Sequence, residues 1–165
     1  MKIRDIIRRF SFRQLFRLSG LLFQNPWFII PTLRATKKTR IICDSLFGKA
    51  HHKNGKENAF RHALWNVLIC QKTFIHSKND EKSIIWAKKI TDLHEKLAPN
   101  KPLEEAMDLH NNKLGRLYFK ELSSVSEEAT ITFLKGKMEK SNLVREIEEI
   151  REFYDDLVYL SDGNN

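Results

Sequence analysis

Glycine, proline and cysteine are scarce in this chain of 165 residues, which contains six Gly, four Pro and two Cys. Sandwiches and barrels need a turn about every eight to twelve residues, and turns draw heavily on Gly and Pro. The scarcity therefore disfavours an all-β protein and predicts an all-α fold. Cys43 and Cys70 fall in helical patterns and are too few for a disulfide framework, so we expect a reducing, cytoplasmic compartment.

Long apolar runs are also missing from the chain. The longest stretch without a charged residue covers residues 18–33 and contains Pro26 and Pro31. A membrane-spanning helix needs about twenty apolar residues, so we expect no span here. The 41% hydrophobic and 30% charged composition of this 19.5 kDa chain instead fits one soluble domain with a modest appendage.

The net charge of +8 is unevenly distributed along the chain. Residues 1–40 carry ten Lys and Arg against Asp5 alone, whereas residues 141–165 carry two Arg against seven acidic residues. Such asymmetry predicts that the N-terminal end faces an anionic partner, which is either a lipid surface or a nucleic acid.

The N-terminal segment, residues 1–33, has the pattern of an amphipathic basic helix followed by an aromatic stretch around Trp27. Together with the basic residues up to position 40, it predicts peripheral binding to an anionic membrane, on its inner face. The alternative is that these aromatic side chains pack on the core of the domain itself. Nucleic acid is a less favoured partner, because no nucleic-acid-binding motif accompanies the charge.

The rest of the chain, residues 34–165, predicts a helical domain with its functional site within residues 51–116. Helical periodicity and capping residues predict a bundle of six or seven helices. The expected segments are residues 32–47, 57–74, 81–97 and 102–122, one from 126, and a last one capped at residues 141–142 and ending near 160.

Three consecutive helices each direct one imidazole inward, namely His62, His94 and His110. One inward histidine is usually a hydrogen-bonded core residue, but three of them need a shared role. We therefore predict a metal site with these three ligands, for zinc or manganese rather than calcium. His51 and His52 precede the central helix in a basic loop, which predicts a solvated loop or a cover over the site.

Carboxylates and phosphate-binding groups accompany these histidines. Glu95 and Asp108 are candidates for the general base or for further metal ligands, because a metal-bound water needs a proton acceptor. Asp108 and His110 lie about 200° apart on a regular helix, so both cannot be ligands, and the apolar stripe favours His110. Side chains that suit phosphate oxygens are Arg61, Arg116, Asn58, Asn111 and Asn112.

Three sequence motifs carry a resemblance to a known family. The strings NAFRHALWN at 58–66, TDLHEK at 91–96 and MDLHNNKLGR at 107–116 together resemble a bacterial domain family of unknown function. Some members of that family resemble C-terminal toxin modules of polymorphic secreted proteins. The resemblance implies a functional site without implying a reaction, and it marks the ten candidate residues named above.

A looser likeness connects the chain with HD-type metal phosphohydrolases, in which a His, a His-Asp pair and a later Asp come from successive helices. Here His62, the pair His94-Glu95 and Asp108 would take those places, with Glu replacing the Asp of the pair. This likeness implies metal-dependent phosphoester hydrolysis.

The function predicted from the sequence is therefore metal-dependent phosphoester hydrolysis at a membrane surface, with phospholipid favoured as substrate. Two alternatives stay open. One is a non-enzymatic helical binding module whose polar core only holds the bundle together. The other is a metal-free nuclease of toxin type that uses His and Arg.

Overall fold

The computed structural model describes residues 20, 24–97 and 100–161. This part of the chain contains six α-helices, two 3₁₀ helices and two short strands, which confirms the predicted all-α bundle. In chain order they are a 3₁₀ helix Pro26–Phe28, α1 Ile29–Phe47, a 3₁₀ helix Ala50–His52, α2 Lys56–Ser77, α3 Asp80–Leu97, α4 Pro102–Leu122, α5 Glu127–Glu139, β1 Asn142–Leu143, α6 Ile147–Ile150 and β2 Val158–Tyr159.

Local signals explain where several helices begin and end. α1 ends at Gly48, whose φ of 57° is unfavourable for residues with a Cβ, and its N–H donates to the Asp44 carbonyl. α4 begins at Pro102, which fits a first turn that needs no N–H donors. α5 is capped by Ser126, whose hydroxyl accepts a hydrogen bond from Ala129 N–H.

Helix α2 is the centre of the bundle and contacts α1, α3, α4 and α5. Its sequence is apolar on almost every side, and twelve of its residues are buried. A helix that is apolar all round is stable only when other elements cover it, so the remaining long helices pack around α2. The polar side chains of α2 that point inward therefore face other helices.

Helices α2 and α4 approach each other closely at Gly115. A Cβ built at this position would lie 2.4 Å from the carbonyl oxygen of Ala63 and 2.9 Å from Cβ of Asn66. Only glycine fits this spacing, because real Cβ atoms essentially never come so close to other atoms. The glycine thus brings Asn66 of α2 next to the polar side chains of α4.

The N-terminal part of α1 crosses the boundary predicted between residues 33 and 34. Phe28 is buried and packs edge to face on Trp86 of α3, while Trp27 is 81% exposed. The aromatic stretch is therefore divided between the core and the surface. Of the predicted amphipathic helix that precedes the aromatic stretch, only residue 20 is among the described residues, and no helix among those described is apolar and long enough to cross a bilayer.

The last predicted helix, capped at residues 141–142 and ending near 160, is wrong. Asn142 N–H instead donates to the Leu157 carbonyl, and β1 pairs with β2 as a two-residue parallel ladder. Val144, Ile150 and Val158 form a second small core with Met107 of α4. Long-range packing on α4 thus replaces the local capping that the sequence suggested.

Candidate metal centre and ligand pocket

Three buried acidic and imidazole side chains meet at the centre of the bundle. His62 comes from α2, Glu95 from α3 and Asp108 from α4, and each exposes 5% or less of its surface. One ligand atom of each residue lies within 4.8 Å of those of the other two. Buried charged groups are costly unless they are paired or bind a cation, so this cluster requires a compensating charge.

A chain of hydrogen bonds fixes the orientation of the His62 ring. Arg116 has only donors, and its Nη1 lies 2.9 Å from Asn66 Oδ1, so Nδ2 of Asn66 must point the other way. That Nδ2 donates to Asn112 Oδ1 at 2.7 Å, which also lies 3.1 Å from His62 Nδ1. Because Oδ1 only accepts, Nδ1 carries the ring proton and Nε2 keeps its lone pair.

The lone pair of His62 Nε2 faces a carboxylate and a guanidinium group. Asp108 Oδ1 lies 3.2 Å from Nε2, and Arg61 Nη2 donates to Nε2 at 2.8 Å. Two acceptors at such a distance need a proton or a cation between them. Ligand atoms at about 2.1 Å from zinc are about 3.0–3.4 Å apart, so Nε2 and Oδ1 have suitable spacing. A cation here would take the position that Arg61 Nη2 occupies.

Carboxamides hold both carboxylates in place. Asn58 Nδ2 donates to Asp108 Oδ1 at 3.1 Å, and Asn100 Nδ2 donates to Oδ2 at 3.3 Å. Asn112 Nδ2 donates to Glu95 Oε1 at 2.9 Å. The buried Oε2 of Glu95 and Oδ1 of Asn58 have no hydrogen-bond partner among the described residues. These two oxygens remain available to a cation or a donor that enters the cluster.

Burial changes the proton affinity of the cluster. Burial and the neighbouring Glu95 raise the pKa of Asp108 to about 7, and burial also raises the pKa of Glu95. Burial and the charge of Arg61 lower the pKa of His62 well below its usual value. The imidazole is therefore neutral at neutral pH, and the two carboxylates have little positive charge nearby to stabilise their ionised forms. A divalent cation would stabilise both ionised carboxylates.

A pocket of about 210 Å³ lies beside the cluster, between α1, α2, α3 and the 3₁₀ helix Ala50–His52. Its polar lining consists largely of imidazole and guanidinium side chains from His51, His52, His62, His94, Arg40 and Arg61. Such groups attract anions and donate hydrogen bonds to phosphate oxygens. His62 belongs both to the cluster and to the pocket, so a bound anion would reach the candidate cation.

A larger groove of about 770 Å³ runs between α3 and α4 on another side of the bundle. Its charged side chains alternate in sign, as in Glu81, Lys88 and Asp92, and Lys88 pairs with Asp92. Histidines do not line this groove. Size alone therefore does not identify the site, and the smaller pocket carries the chemistry.

The structure brings only some of the predicted residues together. The predicted residues that form or contact the cluster are His62, Glu95, Asp108, Arg61, Asn58 and Asn112. Arg116 supports the cluster through Asn66. His94 lies on the exposed rim of the pocket, with its ring edge to face on Trp65 at 5.1 Å, and it is outside the buried cluster.

The expectation that His110 is a ligand does not fit the structure. His110 Nε2 lies 3.0 Å from the Asp156 carbonyl, and the residue lines a separate surface pocket with Phe153 and Tyr154. The opposite face of α4 carries Asp108 into the cluster. Asp108 and His110, which cannot both be ligands on a regular helix, thus lie on different sides of α4, and Asp108 is the one that reaches the cluster.

Asn111 has a structural contact in place of the predicted substrate contact. Its Nδ2 donates to the Val158 carbonyl at 2.8 Å, and its Oδ1 accepts from Val158 N–H at 3.0 Å. The Asn111 side chain thus holds β2 against α4, on another side of the helix from Asn112.

Asn66, Thr91 and His51 belong to the site but were absent from the predicted set. Thr91 Oγ1 donates to Asn66 Oδ1 at 3.3 Å and so continues the Arg116 chain. Asn66 follows His62 by four residues. This spacing places both residues on one side of α2 and could have indicated that Asn66 belongs to the same site as His62. His51 is buried, whereas the sequence suggested a solvated loop or a cover.

Comparison with known families gives one match. A family model described as a domain of unknown function (DUF6973) matches residues 19–142, which include every side chain of the cluster. Neither the curated proteins nor the solved structures contain a match to the chain.

Proposed function

The chain belongs to the DUF6973 family, a domain of unknown function, and from its site we propose that it is a metal-dependent phosphoester hydrolase. The observation that carries the proposal is the buried trio of His62, Glu95 and Asp108 beside a pocket rich in anion-binding side chains. A cation and an anion-binding wall are two elements that metal-dependent phosphoester hydrolysis uses.

The cation would be held by His62 Nε2 and by one oxygen each of Glu95 and Asp108. One imidazole and two carboxylates suit zinc or manganese, because imidazole favours transition metals and carboxylates accept either. When bound, such an ion polarises a phosphoryl oxygen and lowers the pKa of a bound water. Asn112 supports the ligand set, because it contacts both His62 and Glu95.

The substrate phosphate would lie in the pocket beside Arg61 and Arg40. Arg61 is anchored by Nη1, which donates to the His51 carbonyl at 2.7 Å. An anchored guanidinium binds phosphate with little loss of side-chain entropy. When a cation replaces it at His62, its second nitrogen is free to contact a phosphate oxygen.

Phospholipid is the favoured substrate class because of the outer face of α1. This face carries Ile30, Arg34, Lys37 and Ile41, all exposed, and the 3₁₀ helix before α1 adds the exposed Trp27. Exposed Trp and Ile beside Arg and Lys are typical of surfaces that bind anionic membranes. Other sides of the same helix contribute Thr36, Thr39 and Arg40 to the pocket, so α1 would connect a membrane surface with the pocket.

Metal analysis of the purified protein tests the proposal directly. We expect wild type to bind one equivalent of zinc or manganese and to gain thermal stability from it, because the ion binds only the folded chain. Glu95→Gln and Asp108→Asn should abolish that gain and hydrolysis of bis(4-nitrophenyl) phosphate. The matched control Glu121→Gln changes an exposed carboxylate of α4 and should retain both. Wild type without any metal-dependent stability would refute the proposal.

A second candidate is metal-free hydrolysis of nucleic acid by the Arg61–His62 pair. It is favoured by the hydrogen bond of 2.8 Å from Arg61 Nη2 to His62 Nε2, which already satisfies that lone pair. Under this alternative, RNA or DNA cleavage persists in excess chelator and is lost in Arg61→Lys. Cleavage that chelator abolishes supports the metal-dependent hydrolase instead.

A further inference from the structure

His51 and Asp44 form a carboxylate–imidazole pair at one wall of the pocket. Asp44 lies near the end of α1 and His51 in the 3₁₀ helix that follows, and Asp44 Oδ1 is 2.9 Å from His51 Nε2. An ionised carboxylate only accepts hydrogen bonds, so Nε2 carries the proton. His51 Nδ1 then keeps its lone pair.

The other nitrogen of this ring is a buried acceptor at the pocket wall. His51 is 1% exposed, and its Nδ1 has no hydrogen-bond partner within the described ranges. A buried acceptor without a donor is uncommon in folded proteins and calls for a partner that arrives with a ligand. His51 is one of the residues that line the pocket, which gives such a ligand a place to bind.

Arg61 connects this pair with the metal cluster. Its Nη1 contacts the His51 carbonyl at 2.7 Å and its Nη2 contacts His62 Nε2 at 2.8 Å. One guanidinium group therefore spans the two histidines. A phosphate bound to Arg61 would have the cluster on one side and His51 on the other.

The cluster itself leaves no base for the attacking water. Glu95 and Asp108 are both committed to the cation in the proposed function, and carboxamides fix their orientation. Of the other imidazoles in the pocket, His94 and His52 are exposed. His51 is the buried imidazole of the pocket wall whose tautomer a carboxylate sets.

We propose that His51, oriented by Asp44, is the general base of the hydrolysis. The inference rests on the proposed function. His51 Nδ1 takes a proton from water while the water oxygen forms a bond to phosphorus. The bond from phosphorus to the ester oxygen breaks, that oxygen takes a proton from solvent as the alcohol leaves, and the imidazolium releases its proton to solvent. Water and ester are consumed, and the neutral imidazole is regenerated.

Several charged or polar groups surround this base. Asp44 and Arg40 come from α1, Arg61 comes from α2, and the tilted ring of His52 lies 4.0 Å from that of His51, measured between ring centroids.

The test compares the turnover of bis(4-nitrophenyl) phosphate by metal-loaded full-length variants. We expect His51→Gln to lower kcat by roughly 10²-fold or more, with KM and metal stoichiometry unchanged. Asp44→Asn should lower kcat less, since the base remains but its tautomer is no longer fixed. The control His76→Gln changes an exposed imidazole at the end of α2 and should match wild type.

A second measurement reads the ring directly. Two-bond ¹H–¹⁵N spectra of histidine-labelled protein should show His51 with a bare Nδ1 and a protonated Nε2, and Asp44→Asn should mix the two tautomers. This measurement does not depend on turnover. The resonances that are missing from the spectrum of His51→Gln are thereby assigned to His51.

Each contrary result has a distinct meaning. Wild-type turnover that His51→Gln leaves within twofold overturns the base while the hydrolase stands. A protonated Nδ1, or metal binding that weakens in His51→Gln, also overturns it and makes the imidazole a structural group or a ligand. Wild type that binds metal and leaves the diester intact refutes the proposed function, and the role of His51 falls with it.

Discussion

Replacing Gly115 with alanine tests how the spacing of α2 and α4 builds the site. The new Cβ would meet Ala63 O at 2.4 Å, Ala63 Cα at 2.8 Å and Asn66 Cβ at 2.9 Å, whereas ordinary contacts begin at 3.4 Å. Two of these atoms are backbone and the third is rooted on it, so the helices must separate by several tenths of an ångström to an ångström.

The energetic cost has two opposing parts. Overpacking of a helix interface costs about 1–3 kcal/mol. Alanine in a helix interior is favoured over glycine by about 0.8–1.0 kcal/mol. We therefore expect a net loss of up to about 2 kcal/mol, equivalent to a fall in Tm of up to about 8 °C for a chain of this size. The hydrogen bond of 2.7 Å between Asn66 and Asn112 would lengthen with the separation.

Gly136 provides the matched control, because it also lies inside a helix, α5, and nothing is within 4 Å of a Cβ built there. Gly136→Ala should raise the free energy of unfolding by about 0.5–1 kcal/mol. Urea denaturation measures both variants, and a zinc titration measures the site. If Gly115→Ala is as stable as Gly136→Ala and binds zinc like wild type, our reading of this contact is wrong.

Three further predictions follow from named residues. Burial raises the pKa of Cys43 and of Cys70 to about 12, so neither thiol should react with Ellman's reagent at neutral pH until denaturant is added, after which two thiols per chain react. Without metal, the pKa of Asp108 is raised to about 7, so the folded state binds this proton more tightly than the unfolded chain and the Asp108 contribution to the free energy of unfolding should fall as pH rises from about 4 to about 7; urea denaturation in chelator should show that the stability of wild type relative to Asp108→Asn falls over this range. Asn111→Ala leaves both polar groups of the Val158 backbone unpaired and should lower the free energy of unfolding by roughly 1–3 kcal/mol for each. A zinc titration of this variant should give the same affinity as wild type.

The long helices could be predicted because their signals are local. Pro102 and the apolar periodicity gave the bounds of α4, and Gly48 gave the end of α1. The C-terminal segment could not be predicted in the same way. Asn142 resembles a helix cap in sequence, but its backbone pairs with Leu157, fifteen residues away, and only the folded bundle supplies that partner.

The candidate site was likewise predictable where the signals are local and unpredictable where long-range contacts decide. The sequence placed His62, Glu95 and Asp108 on successive helices, but periodicity favoured His110, in the middle of the apolar stripe of α4, over Asp108 at its side, and the structure places Asp108 in the cluster. The small core under β2 decides the choice, because it occupies the side of α4 that His110 faces. His51 was missed because a short 3₁₀ helix has no hydrophobic period to reveal its inward face.

The bonds from Arg116 through Asn66 and Asn112 all point the same way, since a guanidinium group has nothing but hydrogens to offer. Glu95 holds the far end of this chain, because it accepts from Nδ2 of Asn112, and Arg61 donates to the opposite nitrogen of the imidazole. A change from Arg116 to a residue with an acceptor would favour turning over Asn66, and that would set its carbonyl oxygen against the carbonyl oxygen of Asn112. The tautomer of His62 is therefore held from both sides of the ring, and the loss of one partner leaves the others to keep it.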